Sequence, residues 1–287
     1  MHPTWLVPDW PAPPGVKAVF TTREGGRSLP PYESLNLGDH VGDDPSCVKQ
    51  NRLTFADQLG ATPVFLKQVH GQRVIQLGSG LVTGLGAASG AVARGDAALE
   101  ADACWSIDRG VACTVMVADC LPVLLTHLDA PVVAAAHAGW RGLVGVGDAP
   151  EHGAGRGVID ATLRQLLAHG AAGEQLAPDR TLAWLGPCIG PQAFEVGAEV
   201  KAAFEVWLSG AARLFKPTAK GKFLADLPGL ARLELRTLGV TAVHGNDGSD
   251  AWCTVRNPAL YFSHRRASQE ASQSPNTGRM AASIWLA

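Results

Sequence analysis

Val111-Ala-Cys-Thr-Val-Met-Val-Ala-Asp119-Cys120-Leu-Pro-Val-Leu-Leu125, followed after a short turn by Pro131-Val-Val-Ala-Ala-Ala-His137-Ala-Gly-Trp-Arg-Gly142, decides how the chain folds. Each piece opens with an apolar run of buried-strand length and β-rich composition. Each run ends in a polar residue that apolar packing gives no reason to place there. Two strands are therefore expected to deliver Cys120 and His137 to one place. A third segment, Phe65-Leu-Lys-Gln-Val-His70-Gly71, also closes an apolar run against a glycine, which adds His70 to the same expected centre. Asp119 is a neighbour of Cys120, but in an uninterrupted strand it points to the opposite face. A bend at Leu121-Pro122 would weaken that objection.

The rest of the chain surrounds these runs with a sizeable core. Of 287 residues, 46% are hydrophobic and 17% charged, which excludes a disordered chain. A net charge of −2 leaves no electrostatic footprint for nucleic acid or an anionic membrane. A small, locally recognised substrate is the expected ligand. Met1 to Pro11 has neither the basic region nor the continuous apolar stretch of a signal peptide, and Asp119 interrupts the longest apolar run. The chain reads as cytoplasmic. Its six cysteines, at 47, 104, 113, 120, 188 and 253, form no Cys-x-x-Cys pair and read as free thiols.

Val16 to Arg23 reads as a first strand and Tyr32 to Pro45 as a shaped loop. Pro45 and Ser46 open a helix that Gly60 ends. Residues 78–95 have the composition of a surface loop. A helix marked by Asp160 carries Leu163, Leu166 and Leu167, and Leu182 to Leu185 is a short buried strand. Phe194 to Leu208 and Asp226 to Leu238 have amphipathic helical spacing, with Asp226 as an N-cap. Val240 to His244 reads as a strand, and Ala259 to Arg266 and Gly278 to Leu286 as a closing strand pair. Several strand pairs are too close in sequence for a helical crossover, so the fold is read as α/β with mixed sheets and flanking helices. It contains no Gly-x-Gly-x-x-Gly after a strand, no P-loop and no repeat. Residues 1–287 read as one domain with a core from about 16 to 286.

Cysteine thiolate and neutral imidazole are ligands that zinc prefers, and one Cys with two His leaves a tetrahedral position open for water or substrate. The same atoms support a metal-free alternative, in which Cys120 is a nucleophile, His137 withdraws its proton, and a third group orients the imidazole. Arg141, Arg265, Arg266 and Arg279 all lie in turns beside strand ends, where a guanidinium can grip phosphate or carboxylate.

Nine motifs now line up in order: Thr21-Thr-Arg-Glu-Gly-Gly, Ser34-Leu-Asn-Leu-Gly, Val41-Gly-Asp-Asp-Pro, Gln68-Val-His-Gly, Ala118-Asp-Cys-Leu-Pro-Val-Leu-Leu, Ala135-Ala-His-Ala-Gly-Trp-Arg-Gly, Leu185-Gly-Pro-Cys-Ile-Gly-Pro, Phe194-Glu-Val-Gly, and Phe262-Ser-His-Arg-Arg with Thr277-Gly-Arg. Together they resemble the bacterial laccase-domain family, also called the multicopper polyphenol oxidoreductase, purine nucleoside phosphorylase or peptidoglycan editing factor family. The departures are the glycine-alanine loop after Leu77 and an insertion from Ala267 to Asn276.

The resemblance implies a single-domain layered sandwich of mixed β-sheets, similar to toxin cysteine deamidases. It implies a zinc site on His70, Cys120 and His137, with copper as the second choice. It further implies phosphate-dependent cleavage of adenosine, inosine, guanosine and methylthioadenosine, and deamination of adenosine. On that reading Cys120, His137 and Asp119 serve catalysis, while Arg265, Arg141 and Asn36 meet nucleoside and phosphate. A multicopper oxidase needs about ten His-rich ligands. This chain has nine His and no His-x-His, which speaks against polyphenol oxidation. The alternatives are an amidase that edits peptidoglycan precursors, by zinc-water or a Cys120 and His137 pair, and a non-catalytic metal- or partner-binding protein.

Overall fold

The structure is a computed structural model that describes residues 2–78, 99–145, 157–170, 174–270 and 276–287. The strands are β1 (Val16–Phe20), β2 (Thr62–Phe65), β3 (Val74–Gln76), β4 (Ala103–Ser106), β5 (Val111–Val117), β6 (Leu121–His127), β7 (Val133–Ala138), β8 (Thr181–Leu185), β9 (Glu195–Val196), β10 (Phe215–Pro217), β11 (Phe223–Ala225), β12 (Ala242–Gly245) and β13 (Met280–Leu286). The helices are α1 (Pro45–Leu59), α2 (Trp140–Val144), α3 (Val158–Leu167), α4 (Ala198–Glu205), α5 (Leu227–Thr237) and α6 (His264–Glu270).

Two mixed sheets lie face to face. One has the order β1-β13-β5-β2 with only β2 and β5 parallel. The other has the order β12-β8-β6-β7-β4-β3, parallel only at its two ends. A small antiparallel sheet, β10-β11-β9, stands apart. Along β5, Val111, Cys113, Val115 and Val117 face the second sheet through a core that includes Leu124, Ala135 and Trp184. The alternate residues Ala112 and Met116 pack with Phe55 and Leu59 of α1. Along β6, Leu121, Val123 and Leu125 turn outward to Ile159, Leu163 and Leu166 of α3 and to Leu230 of α5. Both strands are thus covered on both faces, which is why they read as continuous apolar runs rather than alternating ones.

The expected helix after Pro45 runs as read. The Asp44 side chain accepts from Ser46 N–H at its start, and Gly60, at φ +62°, takes the left-handed turn that ends it. Asp226 caps α5 by accepting from Gly229 N–H. Four other expectations are corrected. The run through Asp119 is not one strand: β5 belongs to the first sheet and β6 to the second, and Ala118 to Cys120 carries the chain between them. His70 lies five positions beyond the end of β2, in a turn. Phe194 to Leu208 divides into β9, which pairs with β11, and α4, with Gly197 between them. Ala259 to Arg266 is no strand. Tyr261 and Phe262 are buried from an irregular segment, and α6 starts at His264. Asp160 lies in the first turn of α3, whose N-cap is Gly157. Residues 79–95 of the expected loop and residues 271–275 of the insertion lie outside the described residues.

One buried carboxyl is a stability element. Glu234, on α5, is fully buried, and among the described residues no side chain hydrogen-bonds to its carboxyl oxygens. Burial first, and then the Asp160 charge on α3, push its pKa well above the ordinary 4.5. The folded chain therefore keeps a proton there that the unfolded chain loses. This contribution is complete below pH 4.5 and is lost as pH rises toward the folded value. Glu234→Met keeps length and helix propensity. It is expected to raise the urea midpoint, and to raise it more at pH 8 than at pH 5; a variant advantage independent of pH contradicts this.

Candidate metal centre

Sheet register builds most of the site. Pro122 on β6 stands opposite His137 on β7. Cys120, two residues before Pro122, is therefore on the same face and diagonal to His137. On the other side of β7, Ala136 pairs with Ala103 of β4, and His137 N–H donates to the Asp102 carbonyl at 2.7 Å. Cys120, His137 and Asp102 thus sit side by side at the ends of three neighbouring strands.

Asp102 brings in the third ligand. Its carboxylate is fully buried and accepts from the backbone N–H groups of Val69 (3.1 Å), His70 (2.9 Å) and Gly71 (2.7 Å). Those three donors curl the chain around it and hold His70 at φ 64°, a left-handed conformation that a non-glycine residue adopts only when its surroundings impose it. The same carboxylate receives His137 Nδ1–H at 2.8 Å. A carboxylate can only accept, so Nδ1 carries the proton and Nε2 is left for a metal.

The ligand atoms of His70, Cys120 and His137 all lie within 4.8 Å of one another. A tetrahedral ion with bonds of about 2.0–2.3 Å sets its ligands roughly 3.5 Å apart, so small side-chain movements suffice to close on it. The two imidazoles meet edge to face with centroids 4.8 Å apart. Gly139 keeps the space between Cys120 and His70 open: a Cβ there would lie 2.9 Å from Cys120 Sγ and 3.2 Å from His70 Cδ2. Donor type, spacing and the glycine gap all fit a metal ion held by one thiolate and two imidazoles. Gly139 has φ −66°, which any residue tolerates. Gly139→Ala is therefore expected to lower the metal content of the purified protein while leaving the melting temperature of the metal-free form within about 2 °C. Full metal content in the variant contradicts this.

Electrostatics in the metal-free site are strongly coupled. Burial alone would raise the Cys120 pKa, but the charge and hydrogen bonds of His137 and His70 outweigh it and lower the thiol to about 6. Burial would lower His137, yet the Cys120 thiolate and Asp102 raise it to about 9. At neutral pH the two form a thiolate and imidazolium pair.

This centre forms part of the wall of a cavity of about 350 Å³. Met116, Ile189, Phe194 and Leu227 supply apolar surface, and His40, His264, Arg265 and Arg279 supply polar groups. Asp119 lines it too. At φ 105° its backbone turns the chain between the sheets, and its carboxylate is engaged at both oxygens, by Thr254 Oγ1–H (2.5 Å) and Arg265 N–H (2.6 Å). Burial raises its pKa. Arg265 also lines the cavity, while its guanidinium donates to the carbonyls of Ala193 and Glu195.

Two expected substrate residues lie elsewhere. Arg141 is exposed and sits over the Trp140 ring. Asn36 is fully buried, with its amide given to Gly38 and Asp43 and its carbonyl receiving Gly38 and Arg279 N–H groups. Asp102, Gly139, His40 and His264 were not legible as site residues. The one available signal was an acidic residue at the head of a buried strand, Asp102.

The described residues contain no helix long and apolar enough to cross a membrane. Known proteins resemble the chain along nearly all its length. A purine nucleoside phosphorylase of Pseudomonas aeruginosa is 44% identical over 98% of both chains, and one of Escherichia coli is 43% identical over 98% of both. Among solved structures, a Neisseria meningitidis protein superposes with a TM-score of 0.79 at 41% identity, over 99% of both chains. YlmD of Geobacillus stearothermophilus superposes with a TM-score of 0.76 at 30% identity, over 96% of this chain and 94% of its own. The profile that describes the multi-copper polyphenol oxidoreductase laccase family matches residues 17–287, and with these relatives it establishes that the chain belongs to that family.

Proposed function

We propose that the chain is a zinc-dependent purine nucleoside phosphorylase that accepts adenosine, inosine, guanosine and methylthioadenosine and also deaminates adenosine. The observation that carries this reading is the union, in one cavity, of the His70, Cys120 and His137 cluster with cationic groups and an apolar wall. The Pseudomonas aeruginosa and Escherichia coli relatives, named purine nucleoside phosphorylases, point the same way. Zinc fits this set, because one thiolate and two imidazoles can take three corners of its tetrahedron and leave the fourth for water or substrate. Bound there, zinc supplies Lewis acidity.

The chain's own groups supply the rest. Met116, Ile189, Phe194 and Leu227 offer apolar surface to the base. In phosphorolysis a phosphate oxygen forms the bond to ribose C1′ as the C1′–N9 bond breaks, and the electron pair leaves with the purine. Arginine at the cavity neutralises the phosphate. In deamination water adds to C6 of the purine and ammonia leaves from it, and Asp119, whose pKa burial raises, is the carboxyl that passes the proton from the water to the leaving nitrogen. The test is chromatography of inosine and adenosine incubated with metal-loaded protein. Hypoxanthine and ribose 1-phosphate that appear only with phosphate support the phosphorylase, and inosine from adenosine supports the deaminase. Base release independent of phosphate counts against the first.

A second reading has its own observation. Cys120, His137 and Asp102 form a nucleophile, base and orienting carboxylate in the order that a cysteine hydrolase needs. On this reading the substrate is an amide in a peptidoglycan precursor. Full amidase activity in metal-free protein would favour it over the zinc enzyme.

A further inference from the structure

Four arginines other than Arg279 are partly or fully buried around this half of the molecule, and each has at least two of its guanidinium nitrogens paired with protein. Arg52 pairs with Asp39 and the Leu37 carbonyl, and Arg23 with Glu33 and two carbonyls. Arg266 donates to three carbonyls, and Arg265 to those of Ala193 and Glu195. Arg279 differs. Only its Nη1 is used, by the Thr277 and Gly278 carbonyls, and among the described residues no carboxylate lies within ion-pair distance of it. Its remaining donors have no described partner, and it lines the cavity that holds Cys120 and His137.

The loop from Asn36 to Gly38 is built to present this side chain. Asn36 Oδ1 accepts from Arg279 N–H, and Leu37 N–H donates to the Arg279 carbonyl. Gly38 passes under the stem, where a Cβ would come within 2.7 Å of Arg279 Cγ. The opposing charges that act on the Arg279 guanidinium are the Cys120 thiolate, which a bound metal would engage, and then Asp119; a partly buried guanidinium left with no ion pair of its own is costly unless a ligand supplies one. A nucleoside carries no charge. Asp119, the carboxylate in the cavity wall, is already held by Thr254 and Arg265. We infer that Arg279, rather than Arg265, is the oxyanion-binding residue of the cavity, and that it grips the tetrahedral inorganic phosphate consumed in the reaction. Asn36 and Gly38 are its positioning residues.

The inference rests on the phosphorylase reading and is tested apart from it. Michaelis constants for phosphate and for inosine are measured on the metal-loaded full chain, with wild type, Arg279→Gln, Arg279→Lys and Arg265→Gln. Arg279→Gln is expected to raise the phosphate constant at least about tenfold, the scale of a lost charge-assisted hydrogen bond, with the inosine constant within about twofold. Arg279→Lys, which keeps the charge without the fork, recovers part of the loss. Arg265→Gln moves the phosphate constant less than Arg279→Gln does. A phosphate constant unchanged in both Arg279 variants, or one that rises equally with that for inosine, overturns the inference while leaving the phosphorylase intact. Adenosine 5′-monophosphate as competitor distinguishes the source of the oxyanion: competition against inosine that vanishes in Arg279→Gln, with the phosphate constant unmoved, assigns Arg279 to a nucleotide and also overturns it. Wild type without phosphate-dependent turnover removes both readings together. If Arg279→Gln does not fold, the ratio of the two constants in Arg279→Lys decides.

Discussion

Cys120→Ser is expected to lose the bound metal and at least about a hundredfold of turnover, more than the loss typical of changing a residue that only supports a ligand. The reason is local. The thiolate is the one anionic donor of the three, and its pKa near 6 leaves it ionised at neutral pH. A serine hydroxyl in the same place stays protonated and makes a poor ligand. The fold should survive, because Cys120 stands at the cavity wall and the strand it precedes is fixed by its pairing with β7 and β8. Elemental analysis and circular dichroism on the same sample read both parts. A folded variant that retains one metal per chain contradicts the ligand assignment.

Asp102→Asn is expected to lower metal affinity by about 10–100-fold or more and to destabilise the metal-free chain as well. Four donors converge on this carboxylate: Val69 and Gly71 N–H on Oδ2, His70 N–H and His137 Nδ1–H on Oδ1. An amide has one accepting oxygen. Whichever way it turns, its own N–H₂ faces two buried donors, at a cost on the order of 1–3 kcal/mol for each donor left unmet. One change therefore releases the His137 ring and the left-handed turn that holds His70. Titration with a competing chelator and a thermal melt check the two effects. Unchanged affinity together with an unchanged melt would show that the two histidines need no common anchor.

How much of this was legible in the sequence depended on how local the cause was. Helix α1 could be read because its cap, its first-turn proline and its terminal glycine all lie within the segment. The strands β5 and β6 could be recognised as buried, since both faces of each are apolar. Their membership of two different sheets could not. The crossing depends on Asp119 taking a left-handed backbone, held by Thr254 and Arg265 from far along the chain.

The ligand trio was assembled from three apolar endings and a family pattern. Its anchor, Asp102, lies 32 residues from His70 and 35 from His137, and no local signal ties it to either. The arginines show the limit most plainly. Arg141, Arg265 and Arg279 all read as turn residues, yet Arg141 lies in α2 and Arg265 in α6, and what separates Arg265 from Arg279 is that its two carbonyl partners occupy both Nη atoms rather than Nη1 alone. Asn36, read as a substrate contact, serves instead the backbone of Arg279.

One metal ion shared by His70, Cys120 and His137 is the centre on which the chemistry depends. Anomalous scattering at the zinc edge from crystals of protein purified without chelator tests it most directly. The predicted result is a single strong peak within about 2.3 Å of Cys120 Sγ and about 2.1 Å of one nitrogen each of His70 and His137 Nε2. A peak elsewhere, or none at this position in protein that contains stoichiometric zinc, would contradict it.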